Sequence, residues 1–338
     1  MYEALLAWYA RHKRDLPWRR VKTPYHVWLS EIMAQQTRIN ALLPYYERFI
    51  VRFPAVFDLA RADEADVLKM WEGLGYYSRA RLLHRTARIV AEEYNGVFPK
   101  DADGLRKLPG IGDYTAGAIA SICYGQKIPA VDGNALRVFA RVRNNDADVS
   151  LPDTKKELMR YLTECMPDDA GAFNQAVMEL GALVCIPKNP RCDICPITGF
   201  CAARLCGRET LLPVKAQKKA RRQLKMTVLL VTNPDGEILV RRRTERLLNG
   251  LWEYVLAESA RDAADMLDEL GLTCTQITPV GGAVHIFTHL EWHMKGFHCA
   301  VAEREAPEPY RFVPIPVLGE LALPSALSYY TEQAPVYG

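Results

Sequence analysis

The sequence has no apolar run long enough to span a bilayer, which argues against a helical membrane anchor. Its opening stretch, MYEALLAWYARHKRDLPWRR, carries charge inside and after its apolar residues, the reverse of a secretion signal. A soluble, unexported, cytoplasmic protein with no membrane partner is therefore expected. There is little excess of charge of either sign: the formal net charge is only +3, so no global polycation advertises a nucleic-acid partner. Repeats and low-complexity tracts are lacking, which excludes solenoids and disordered polar arrays. Nine cysteines, an odd number with several clustered in one place, do not make a disulfide framework; they point to a metal site.

What remains is a chain of 338 residues, 49% hydrophobic and 25% charged, long enough for two domains that each bury a core. Up to about residue 205, apolar residues recur at helix spacing in VWLSEIMAQQTRINALLPYYERFI, EADVLKMWEGLG, SRARLLHRTARIVAEEY, YTAGAIASICYG and GAFNQAVMELGALVC. After about 225 the pattern changes. KMTVLLVTNPDGEILVRRR reads as strand, Asn-Pro-Asp-Gly turn and strand, and AVHIFTHLEWHMKGFHCAV again has strand character. RDAADMLDELG and PSALSYYTEQ look helical. The expected organisation is a helical domain over 1–205, a basic linker over 206–224 and an α+β domain over 225–338. Two basic runs stand out: Arg11, Lys13, Arg14, Arg19, Arg20 and Lys22, then Lys215, Lys218, Lys219, Arg221, Arg222 and Lys225. Each reads either as a solvated face or as a nucleic-acid contact.

Five motifs carry chemistry. Cys185, Cys192, Cys195 and Cys201 are separated by six, two and five residues, a spacing that suits a structural zinc or an iron–sulfur cluster. Only one CxxC knuckle is present, where zinc sites more often pair two. Lys188 and Arg191 lie on the proline-braced loop between the first two thiols, placed for a phosphate contact. In LRKLPGIGDYTAGAIA, Gly110 and Gly112 make a tight turn between helices, and free N–H groups at the second helix start suit a phosphate. This is a helix–hairpin–helix pattern, although an ordinary interhelical turn looks similar.

In IPAVDGNALRVFARV, Asp132 precedes a helix, so it reads as an N-cap that also faces whatever the hairpin binds; Asn134 and Arg137 follow it. In WLSEIMAQQTRI, Glu31 stands among Trp28, Leu29, Ile32 and Met33, surroundings that raise a carboxyl pKa and suit a general acid. Most helical glutamates, by contrast, are merely solvated. In WEGLGYYSRARLL, Gly73 and Gly75 shape a loop carrying Tyr76 and Tyr77 beside Arg79 and Arg81. That combination suits base stacking and phosphate contacts, with core packing of one tyrosine the competing account.

Taken in this order, the five motifs resemble those of the endonuclease III superfamily of DNA base-excision glycosylases. Within it the whole chain is similar to the A/G-specific adenine DNA glycosylases, the MutY family, through SEIMAQQTRI, WEGLGYYSRAR, LPGIGDYTAGAI, VDGNALRV, GAFNQAVMELGALVC and the four cysteines. The resemblance implies an all-α helix–hairpin–helix glycosylase domain, a [4Fe–4S] cluster on Cys185, Cys192, Cys195 and Cys201, and a Nudix-like α+β domain. It implies a monomer acting on double-stranded DNA that holds adenine opposite 8-oxoguanine or guanine, in a bacterial-type cytoplasm. Bifunctional relatives carry a lysine on the hairpin helix whose amine attacks the sugar; Tyr114 stands there, which implies base release without strand cleavage.

By the same resemblance, Glu31 protonates adenine and Asp132 stabilises the oxocarbenium sugar, by charge or by attack at C1′. Tyr114 and Asn134 assist by hydrogen bonding. Gln36, Thr37 and Tyr76 would contact or wedge the duplex near the flipped base. Phe287, Thr288 and His289 resemble the family's Phe-Ser-His loop that reads 8-oxoguanine, with a threonine in place of the serine. Ala34 stands where the family commonly has leucine, so any apolar wedge there is smaller. GLWEYVLAESARDAADMLDELGL lacks the glutamate set of a Nudix pyrophosphatase, so lesion recognition is the role expected of this domain.

Overall fold

A computed structural model of the chain describes residues 1–216 and 220–334. Lys218 and Lys219 of the second basic run, and residues 335–338 of the expected C-terminal domain, lie outside the described residues. The chain forms two compact units: Met1–Arg61 with Leu82–Gln217, and Ala62–Arg81 with Lys218–Gly338. This departs from the contiguous 1–205 domain expected from helical periodicity. Residues 206–216, expected as linker, pack into the first unit, where Leu212 O accepts from Arg141 Nε at 2.9 Å and Val214 O accepts from Val149 N at 3.0 Å.

The first unit is helical, and its helix starts are written in side chains. Thr23 caps the Pro24–Ala34 helix, accepting from His26 N at 3.3 Å with proline at the first helical position. The spacing of VWLSEIMAQQTRINALL continues past Ala34, but the chain does not: Gln36 takes φ 61°, and a second helix runs Ile39–Arg52. Asp101 caps the short Ala102–Arg106 helix, after which Gly110, at φ 76°, turns the chain into the Asp113–Tyr124 helix. The turn is braced by the Thr86 hydroxyl, which donates to Pro109 O at 2.6 Å. Asp132 caps Gly133–Val142 and Asp169 caps Ala170–Leu183. These last two helices meet around Val138, Phe139, Phe173, Val177 and Leu180, each such side chain contributing about 1.5–3 kcal/mol by leaving water.

The second unit is built on a seven-stranded sheet. Its strands are β1 (Arg222–Thr232), β2 (Ile238–Arg242), β3 (Trp252–Glu253), β4 (Val255–Glu258), β5 (Cys274–Ile286), β6 (Leu290–Val301) and β7 (Tyr310–Val313). The order is β3-β2-β1-β6-β5, with β4 pairing β1 and β7 pairing β2. Strand β1 runs parallel to β6, and both its faces are covered: Met226, Val228 and Leu230 enter one core, Leu229 and Val231 the other. The predicted Asn-Pro-Asp-Gly turn joins β1 to β2, with Asn233 Oδ1 accepting from Asp235 N and Glu237 N at 3.1 and 2.8 Å. The single strand-like stretch AVHIFTHLEWHMKGFHCAV is two strands, the end of β5 and all of β6, hinged at Phe287–His289.

Residues 62–81 join this unit because polar side chains there satisfy backbone groups of 321–323. Lys69 Nζ donates to Leu321 O at 3.0 Å, and Glu72 Oε1 accepts from Leu323 N at 3.1 Å. Nothing in a helix period forecasts such pairings.

Candidate active site

Within the first unit, the Pro24–Ala34 helix, the hairpin helix Asp113–Tyr124 and the Gly133–Val142 helix present side chains to one open cleft of about 1220 Å³. Its wall includes Glu31, Tyr114, Asp132 and Asn134, so the four residues expected to carry chemistry do come together. Ala34, Gln36 and Thr37 line the same cleft, at the turn created by the positive φ of Gln36.

Glu31 is half-buried and lines the cleft. Burial pushes its pKa up to about 7; the nearby Asp132 charge adds to the rise, while the Tyr114 hydroxyl and Arg19 oppose it. The Tyr114 hydroxyl donates to Glu31 Oε2, which leaves Oε1 for a transferable proton. The phenol's own pKa is driven well above its usual value by burial and by both carboxylates, so it stays a donor.

Asp132 is the N-cap that its position implied, and both its carboxylate oxygens are engaged. Oδ1 accepts the Ala135 N–H at 2.8 Å as an N-cap, and Oδ2 accepts from Asn134 Nδ2 at 2.6 Å. Burial raises its pKa, and the Ala135 N–H and Asn134 bonds favour the anion. Asn134 is itself fixed: its Oδ1 accepts from Arg137 Nη2 at 2.8 Å, and Gly181 admits it closely, since a Cβ there would lie 2.6 Å from Asn134 Cβ. Arg137 also donates to Gly181 O and to Cys185 O, both at 2.7 Å. A run of hydrogen bonds thus leads from the Asp132 carboxylate to the backbone of the first cysteine.

A second network on the cleft wall was not foreseen. Glu179, with 1% of its side chain exposed, receives Arg14 Nε and Arg19 Nη2, each at 2.8 Å. Burial alone would raise Glu179; the Arg14 and Arg19 hydrogen bonds overcome it and hold the pKa at about 2. Arg14 and Arg19, read from sequence as part of a solvated or DNA-facing basic run, are therefore partly committed to an internal ion pair.

All four motif cysteines are free thiols that line one small pocket with Arg141. Among the described residues no group of three His, Cys, Asp or Glu converges tightly enough for a single metal ion. The thiols ring a common space instead, a donor set suited to a multi-iron cluster. Arg141, only 1% exposed, braces the loop: Nη1 lies 3.3 Å from Cys185 Sγ and 2.7 Å from Ile186 O, and Nη2 donates to Pro187 O at 2.9 Å. Lys188 and Arg191 on that loop are exposed. So are Gly112 and the space beside it, where an added Cβ would meet nothing within 4 Å.

The remaining residues lie in the second unit. Tyr76 is 44% exposed at φ 50°, whereas Tyr77 is buried, so one tyrosine of the pair packs and the other is presented. The Tyr76 hydroxyl is 2.6 Å from Thr288 Oγ1. Phe287 is anchored against Trp292 (ring centroids 4.9 Å apart), while Thr288 and His289 are exposed at the β5–β6 hinge. Arg79 differs from its expected phosphate-contacting role: it is 8% exposed, buried beneath the Tyr76 loop.

Comparison with known proteins places this geometry in a class. Residues 29–168 match the HhH-GPD superfamily of base excision DNA repair proteins, residues 185–201 the iron–sulfur binding domain of endonuclease III, and residues 227–333 the NUDIX domain. A solved thermostable thymine-DNA glycosylase shares the helical fold at TM-score 0.54 and 26% identity, covering 61% of this chain and 95% of its own.

Within that class, the chain is 36% identical to the adenine DNA glycosylase of Homo sapiens over 85% of its length, and 35% identical to that of Mus musculus over 89%. It spans 64% and 71% of those two proteins. The chain belongs to the adenine DNA glycosylase (MutY) family, enzymes that hydrolyse N-glycosyl bonds, and its cofactor is a [4Fe–4S] cluster.

Proposed function

We propose that this protein is a monofunctional adenine DNA glycosylase that releases adenine mispaired with 8-oxoguanine or guanine in duplex DNA. One observation carries the reading. Two carboxyl groups from separate helices share the wall of one cleft, and the Glu31 pKa is pushed up to about 7. Adenine is a poor leaving group as an anion, so the bond needs a proton on the base and a negative charge by the sugar.

In this mechanism the target nucleotide leaves the stack and enters the cleft. Glu31, protonated near neutrality, gives its proton to an adenine ring nitrogen as the N-glycosidic bond breaks, and Tyr114 then donates to the new carboxylate. Asp132, whose anionic form the Ala135 N–H and Asn134 favour against the burial that raises its pKa, faces the oxocarbenium sugar; water adds at C1′ and gives up its proton to the Glu31 carboxylate, which completes hydrolysis. Tyr114 supplies no amine for a Schiff base, so the strand stays intact.

The cluster, when bound to Cys185, Cys192, Cys195 and Cys201, supplies a structural brace for the Lys188–Arg191 loop. Gly110, Gly112, Lys188 and Arg191 contact the phosphate backbone; Gln36, Thr37 and Tyr76 occupy the duplex around the vacated position; Phe287, Thr288 and His289 read the opposite base. The chain acts as a monomer in the cytoplasm.

The test is incubation with duplexes bearing A opposite 8-oxoguanine, A opposite guanine, or thymine glycol. Free adenine from the first two, strands that break only on alkali treatment and no action on thymine glycol are expected. Strand scission keeping pace with base release would reject the monofunctional assignment.

A further inference from the structure

The loop that presents Tyr76 is wound around a buried cation. Gly73, Gly75 and Tyr76 all take positive φ, 93°, 70° and 50°, and for a tyrosine that conformation persists only where neighbours enforce it. The Arg79 guanidinium is the neighbour. Its carbon lies 5.4 Å from the Trp71 ring centroid and 5.3 Å from that of Tyr76, on two aromatic faces at once. Its Nη2 donates to Gly75 O at 3.2 Å, the same carbonyl that Trp71 Nε1 reaches at 3.0 Å, and its backbone N–H donates to Tyr76 O at 2.9 Å. Burial also pulls the guanidinium pKa down to about 10, against the favourable Tyr76 interaction, so the cation is held here despite a desolvation cost.

We propose that Arg79 is a positioning residue for lesion discrimination: it fixes Tyr76 in the left-handed conformation that exposes the ring and delivers its hydroxyl to Thr288. The inference rests on the reading of Tyr76 and Thr288 as residues that meet the mispair. Arg79 itself touches no DNA. Lysine keeps the charge but has neither the flat guanidinium for two rings nor its fork for the Gly75 carbonyl.

The test measures binding to duplexes with 2′-fluoro-adenosine, which resists excision, opposite 8-oxoguanine or opposite guanine, and takes the ratio of the two Kd values. Arg79→Met and Tyr76→Ala are each expected to lower the preference for 8-oxoguanine about tenfold. The double variant is expected to lose no more than Tyr76→Ala alone, because both changes act on one ring. Arg79→Lys is expected to fall with Arg79→Met. Preference retained in Arg79→Met, losses that multiply in the double variant, or equal weakening on both duplexes would overturn the proposal. Should Arg79→Met fail to fold, Arg79→Lys is read alone, and retained preference again overturns it. A wild-type protein that binds both duplexes equally would instead sink the lesion-reading role of Tyr76 and Thr288, and this inference with it.

Discussion

Replacing Tyr114 by phenylalanine tests the electrostatics of the cleft in a direction that intuition would miss. The phenol donates to Glu31 Oε2 and holds the carboxyl pKa down, while burial and Asp132 hold it up, with a balance at about 7. Tyr114→Phe removes the donor and keeps the ring, so the Glu31 pKa should rise. A hydrogen bond to a charged group contributes about 1.5–3 kcal/mol, and one pKa unit is about 1.4 kcal/mol. With cleft water replacing part of the loss, a rise of about one unit is expected.

The assay is single-turnover adenine release from A:8-oxoguanine duplex at saturating protein, from pH 5.5 to 9. The rate of the wild-type protein should fall as pH rises through about 7, since the acid must be protonated to act. The variant should be slower at its plateau, with its descending limb centred near pH ~8. At pH 8 the acid would then be about half protonated in the variant and about one-tenth in the wild type. A limb that stays in place, or moves to lower pH, would refute the assignment of Glu31 as the titrating acid with Tyr114 as its donor.

Three other perturbations probe separate parts. Gly181→Ala places a Cβ where Asn134 now sits, and should slow excision about tenfold or more by disturbing the Asp132 anion, with duplex affinity little changed in a gel-shift titration. Arg141→Leu removes the guanidinium that holds the Cys185–Pro187 backbone, and should speed iron loss to a chelator, followed by the visible absorbance of the cluster. Lys188→Ala should weaken DNA binding and reduce the slope of log K against log salt by about one; an unchanged slope would make the exposed loop structural only.

The sequence was most legible where structure is local. Glu31 on its helix, Asp132 at its cap, the Gly110–Gly112 turn and the cysteine spacing each sit in a short motif whose local geometry can be named from a dozen residues. Asp132 could be read as a cap because capping depends only on the next three positions. Long-range pairings were silent. Glu179 meets Arg14 and Arg19 across about 160 residues of chain, so a helix period could only report charges on a helix.

Arg79 was misread for the same reason: beside two tyrosines, an arginine that packs under them and one that reaches a phosphate have the same local signature. The division of the chain into units escaped too, since Lys69 and Glu72 bind backbone atoms of 321–323 and backbone atoms carry no sequence signal. The two-helix break at Gln36 lacked a glycine or proline to announce it.

The most direct test of the central claim separates binding from chemistry at one oxygen. Glu31→Gln keeps the shape of the side chain and its place on the cleft wall, but not a proton it can give. Adenine release from an A:8-oxoguanine duplex in single turnover should fall by about 10²–10⁴-fold, while the Kd for that duplex stays close to the wild-type value. Release at or near the wild-type rate would contradict the account.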